Sequence, residues 1–263
     1  MKFLVMSTTT ELLKFSPAKG NAKLASLGGK VYTFSLPSGH ACPGANECLA
    51  KVFVKDGKVT LEDGPKMQFR CFSATQEAAF PAVRMQRQHN FDVLNSSKDA
   101  FEMAEKIEAS LPKDALVIRI HVAGDFYSKN YMRAWILVAK AYPKITFYAY
   151  TKSINFWMAL KNEIPDNLKM NASVGGKYDK LIDQNNLKFA KVVYSEKEAA
   201  DQNLEIDHDD SHAFMQDKSF AMLLHGVQPK GTKAAEALKL LKKADIGQYH
   251  KTKKHGDQSS PSK

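Results

Sequence analysis

Hydrophobic and polar positions follow two periods along this chain. Residues 31–36 alternate and are rich in strand formers, and Pro37, Ser38 and Gly39 end them. Val52 and Val54, then Val59 and Leu61, flank Asp56-Gly57, which predicts a hairpin. Residues 73–93 read as helical, with Pro81 either starting a second helix or kinking the first. Phe101, Met103, Ala104, Ile107 and Leu111 recur at helical spacing over 99–111, and Pro112 closes that helix.

From there the rhythm is regular. Strands are predicted over 116–122, 145–150, 168–173, 187–194 and 220–224, with helices over 131–141, 155–162 and 233–243. Strands separated by helices or loops of this size predict a parallel sheet. The expected fold is α/β, a full or partial (β/α) barrel with about six readable parallel strands. Residues 31–245 read as one such domain, with the cysteine-bearing loop and hairpin at 37–72. Residues 1–30, small and polar with Gly20 and Gly28-Gly29, read as an extended arm or lid. Residues 246–263, lysine- and serine-rich, read as a flexible basic tail.

Composition narrows the class. A 263-residue chain with 44% hydrophobic and 25% charged residues builds a core without disulfides, and collagen-like or wholly disordered classes are excluded. The apolar run at Met1–Met6 is too short for a signal peptide, and no stretch reaches the length of a membrane span. The expectation is a soluble cytoplasmic protein with no membrane association, its cysteines reduced. The formal charge of +10 allows a nucleic-acid partner without requiring one.

The three cysteines carry the most specific chemistry. Cys42 and Cys48 lie in the loop after the first strand, and Cys71 follows the hairpin. A loop with two cysteines and a third returning through a hairpin can bring three thiolates together, and thiolates are soft ligands. Two sites are open: a zinc ion completed by His40 or His89, or a four-iron cluster with one iron left open. Ordinary buried thiols are the third alternative.

The strand ends are polar. Strand alternation puts Arg119 and His121 on one face, with Gly124 and Asp125 just beyond. His121 can move a proton near neutral pH, and Asp125 can orient it or bind an amino group. Tyr148, Tyr150 and Lys152 share a face of the next strand; Lys152 can hold a carboxylate or phosphate. Asn171 and Ser173 end the following strand, ahead of Gly175-Gly176. A hydrogen-bonded core network and a surface lysine are the structural alternatives.

Residues 196–217 hold eight acidic residues, with His208 and His212 four apart. They predict a polar loop over the pocket, salt bridges to Arg84 and Arg87, or a divalent-metal site of a hydrolase. Arg84, Arg87, Gln88 and His89 with Phe80 and Phe91 form a weak candidate nucleic-acid patch.

The stretches 38–45, 69–72, 119–126, 147–153, 206–213 and 223–226 together resemble the gene product 88 family of phages and plasmids, over about residues 30–245. More distantly, the chain is similar to radical S-adenosylmethionine enzymes. That resemblance implies a partial barrel whose loop after the first strand gives three cysteines, here Cys42, Cys48 and Cys71, to a 4Fe-4S cluster. It also implies an S-adenosylmethionine ligand at Gly124 and Asp125; from the strand ends, Tyr150 and Ser173 are further candidate contacts for it, and His121 and Lys152 candidate catalytic groups acting on an unknown substrate. The spacing here, Cys-x5-Cys-x22-Cys, departs from the Cys-x3-Cys-x2-Cys of those enzymes. The alternative function is a noncatalytic zinc-containing protein that binds nucleic acid or a host protein.

Overall fold

The computed structural model describes residues 11–18, 24 and 30–246. Most of the expected arm over 1–30, and the tail beyond Ile246, lie outside the described residues. The chain opens with β1 (Ser16–Pro17) and β2 (Val31–Thr33). A hairpin follows, β3 (Ala50–Lys55) against β4 (Lys58–Asp63), turning at Asp56 and Gly57 with φ of 52° and 74°.

Next come α1 (Phe72–Ala79) and α2 (Pro81–Asn95), broken at Phe80 because Pro81 cannot continue a helix but suits its first turn. Pro81 therefore starts a second helix. α3 (Ala100–Ser110) is capped by Asp99, whose carboxylate accepts from the N–H of Phe101 and Glu102.

Then follow β5 (Val117–Ile120), α4 (Lys129–Ala141), β6 (Thr146–Thr151), α5 (Ile154–Leu160), β7 (Leu168–Ser173) and α6 (Lys180–Gln184). The chain continues through β8 (Phe189–Val193), α7 (Glu196–Asp201), β9 (Glu205–Ile206), α8 (Ser211–Met215), β10 (Phe220–Leu223) and α9 (Lys233–Lys243).

Eight strands form one sheet in the order β1-β2-β5-β6-β7-β8-β10-β9. Only β1 is antiparallel to its neighbour. β2, β5, β6, β7, β8 and β10 are the six strands legible in the sequence, and they lie side by side in chain order. The order is linear, with β1 and β9 at its edges, so the described residues form no closed barrel. β2 ends at Thr33, but Phe34 N still donates to Arg119 O at 3.0 Å and Leu36 N to Ala123 O at 2.9 Å.

The sheet has two unlike faces. Ile118, Ile120, Phe147, Ala149 and Met170 pack against α3 and α4 through Met103, Ile107, Met132 and Trp135. The other face carries Tyr148, Tyr150, Ala190 and Phe220, covered by Ala213 and Phe214 of α8. Strictly sequential parallel strands with right-handed crossovers put the main helices on one face, which leaves the second to be filled by a returning segment. Among the described residues, no helix is long and apolar enough to cross a membrane.

Candidate functional site

Residues 37–72 do not project from the sheet; they lie across the C-terminal ends of its strands. Asp125 N, after β5, donates to Ala41 O at 3.1 Å. Gly44 sits so close to the Lys152 backbone after β6 that an added Cβ would come within 2.2 Å of its carbonyl oxygen. Glu47 N donates to Gly175 O at 3.0 Å after β7, and Ala45 bridges to Gly176. Tyr194 Oη, after β8, donates to Gln68 O at 2.9 Å. Gln228, after β10, exchanges two hydrogen bonds with the Arg70 backbone at 2.8 and 3.1 Å. The segment thus bridges the loop after the first parallel strand to the loops after the other five.

Cys42, Cys48 and Cys71 are all in this cap, each a free, half-buried thiol. Burial first, then Asp125 and the other two cysteines, pushes the Cys42 thiol well up. Burial pushes Cys48 up to about 11, with Lys152 working in the opposite direction. The three sulfurs therefore share one electrostatic environment, and thiolates there need a compensating cation. Gly39 N–H donates to Cys42 Sγ at 3.3 Å. Cys71 occupies the N-cap of α1, with no capping hydrogen bond from its side chain.

A single zinc ion needs four donors within about 2.3 Å of one point. Among the described residues, no group of three or more Cys, His, Asp or Glu side chains closes in that way. The proposed fourth ligands are engaged elsewhere: His40 Nε2 bonds Val52 O at 2.9 Å, and His89 Nε2 bonds Leu12 O at 2.8 Å. The cap still gathers three thiols, one of them accepting an N–H at sulfur and another acted on by the Lys152 ammonium, a soft donor set of the kind transition metals take.

Lys152 is buried, and its Nζ donates to Ser173 Oγ at 2.8 Å, Ser173 O at 3.2 Å and Val174 O at 2.5 Å. Its three protons are spent on the end of β7, so it acts as a fixed positive charge beside Cys48. Ser173 serves as its acceptor.

Gly124 and Asp125 are committed to packing chain on chain. Gly124 has φ +81°, and a Cβ there would meet Leu36 Cβ at 2.6 Å. Asp125 Oδ1 accepts from Phe126 N at 2.7 Å and Thr151 Oγ1 at 2.6 Å; Oδ2 accepts from Lys152 N at 2.8 Å. Burial raises its pKa to about 6, with these hydrogen bonds opposing the shift. This pair ties the loop after β5 to the end of β6.

His121 departs from its expected place. Its φ of 69° breaks the strand alternation, so it leaves the face of Arg119 and enters the helix-side core. Its ring lies against Phe126 and Tyr131, with Nε2 3.0 Å from Tyr131 Oη. Burial first, then Arg119, pushes its pKa down to about 3.

The acidic segment does cover the second face of the sheet, but its ion pair is with Arg119. Asp210 Oδ2 accepts from Arg119 Nη1 at 2.5 Å and Tyr148 Oη at 3.0 Å, and Oδ1 accepts from Tyr150 Oη at 3.2 Å. Tyr150 is thus occupied by the protein's own carboxylate. Asp207 accepts from His212 Nδ1 at 3.0 Å, so His212 braces the segment. Arg87 pairs with Glu77 at 2.7 Å, and Arg84 donates to Glu77 O. Glu77, Asp210 and Gln228 carry no sequence signal that separates them from surface polar residues.

A family model described as Gene product 88 matches residues 9–244. A Gene 88 protein of Mycobacterium phage L5 is 28% identical over 161 residues, covering 57% of this chain and 58% of that protein. A Gene 88 protein of Mycobacterium phage D29 is 28% identical over 143 residues, covering 51% of this chain and 50% of that protein. The chain therefore spans little more than half the length of the curated relatives it matches. No solved structure matches it.

Proposed function

The chain belongs to the gene product 88 family, and from that premise we propose that it is a phage or mobile-element iron–sulfur protein in which Cys42, Cys48 and Cys71 hold a 4Fe-4S cluster. The observation that carries this reading is the gathering of all three cysteines in one segment laid over the C-terminal ends of parallel strands. That end of a parallel α/β sheet is where sites of this class are built. The sequential order of six strands, with the cysteine loop after the first, also supports kinship with radical S-adenosylmethionine enzymes.

A bound cluster with one iron free of protein ligands supplies one-electron chemistry and an open coordination position. The chain's own part is positioning. Lys152 offsets negative charge beside Cys48. Gly39 N–H donates to sulfur at Cys42. The contacts of the cap with five strand-end loops hold the thiols in place and limit water.

Anaerobic isolation of the wild type and of Cys42→Ala, Cys48→Ala and Cys71→Ala tests the assignment. Each variant should keep its far-ultraviolet circular dichroism and lose most of its iron and visible absorption. A stoichiometric cluster retained in all three would sink it.

A further inference from the structure

On the second face of the sheet, donors from β5 and β6 gather around a carboxylate of the chain itself. Arg119 supplies a guanidinium, and Tyr148 and Tyr150 each supply a hydroxyl. Arg119 Cζ lies 4.9 Å from the centre of the Tyr150 ring, which fixes the plane of the fork. Burial works against the charge, but Asp210 and the two tyrosines hold the arginine pKa above its ordinary value. Three donors thus converge on both oxygens of one carboxylate, the arrangement by which proteins recognise an organic acid.

That carboxylate does not come from the sheet. Asp210 arrives from a segment some ninety positions along the chain from Arg119 and stands at φ 66°, a left-handed conformation unusual for a non-glycine residue. The segment is buried at Asp207, Asp210 and Ala213, and Asp207 N donates to Ala221 O of β10 at 2.9 Å. Phe214 stacks on Tyr148 at 5.0 Å, Asn171 Nδ2 donates to Ala213 O at 3.0 Å, and Lys188 donates to backbone carbonyls of α8. The fit is incomplete. Arg119 Nε and Asn171 Oδ1 are buried without a hydrogen-bond partner, one a donor and one an acceptor. Asn171 is fully buried, and its amide meets the covering segment. Buried polar atoms of a finished core are almost always paired.

We infer that Arg119, Tyr148, Tyr150 and Asn171 form a binding site for a small carboxylate-bearing ligand, and that Asp210 holds the ligand's place until residues 207–215 swing aside. A ligand with a hydrogen-bond donor near its carboxylate would satisfy Asn171 Oδ1 as well, which Asp210 does not. The site stands whether or not the cysteines bind a cluster.

The test uses full-length Asp210→Gly, because glycine adopts φ 66° readily and leaves the seat empty. Thermal unfolding is followed with sodium acetate, sodium phosphate and sodium chloride at matched ionic strength. Acetate should raise Tm saturably and the other two should not; Arg119→Met in the same background should abolish the rise. An equal response to all three salts, a response to phosphate equal to that to acetate, or no response would overturn the proposal. Should Asp210→Gly fail to fold, hydrogen exchange on the wild type decides. Acetate should speed exchange of the amides of residues 207–215 several-fold over chloride, and unchanged exchange would overturn it.

Discussion

His121 is a basic group kept neutral by its surroundings. Burial among Phe126 and Tyr131 places its pKa at about 3, whereas in the unfolded chain it titrates near 6.5. Between those values the unfolded state binds the extra proton, so acidification through that window destabilises the fold. Asp125 acts in the opposite sense. Its folded pKa of about 6 exceeds the ordinary 3.8, so its protonation favours the fold as pH falls through that narrower window. Urea unfolding from about pH 7 to 4 isolates the His121 contribution as the difference between the wild type and His121→Asn, a residue that tolerates φ 69°. The wild type should lose stability relative to the variant as pH falls below about 6.5; a difference that stays constant with pH would contradict the assignment. Strand alternation alone placed His121 beside Arg119, because a single positive φ leaves no mark in a hydrophobic pattern. Cys42, Cys48 and Cys71 were legible, because their chemistry is rare and their loop sits after a strand.

Among the elements, α1 and α2 brace the cysteine segment from behind. Ser38 N and Oγ donate to Glu77 of α1 at 2.9 and 2.8 Å, and Arg87 of α2 donates to Glu77 at 2.7 Å and Ser73 O at 2.9 Å. Ser38 precedes Cys42 and Ser73 follows Cys71, so one buried ion pair ties the two ends of the segment. Glu77→Ala leaves Arg87 buried and unpaired, at an expected cost of about 3–5 kcal/mol by chemical denaturation. Adding Arg87→Met should recover most of that loss; a double variant no better than the single one would remove the ion pair as the cause. Helical spacing and Pro81 made α1, α2, α3, α4, α5 and α9 legible. The sequence is mute on α6, α7 and α8, which are short and largely polar and exist because the strands they join must turn back.

Over the whole molecule, chain order and space coincide: six parallel strands follow one another, and a segment after the first spans the ends of the rest. Apolar strand patterns, and the helices or loops between them, made the strands and their parallel pairing readable. The open edges and the cap were not, since they depend on backbone contacts such as Gly44 on Lys152 and Arg70 with Gln228, over a hundred positions apart. The polar second face was half legible: Arg119, Tyr148 and Tyr150 stood out, but Asp210 was one acid among eight in its segment. On the proposed reading, the cap holds three sulfurs on a metal cluster. Iron, zinc and acid-labile sulfide measured on wild-type protein prepared without oxygen test it most directly. The expected result is about four iron and four sulfide per chain with no stoichiometric zinc; about one zinc with no sulfide, or negligible metal after reconstitution with iron and sulfide, would contradict it.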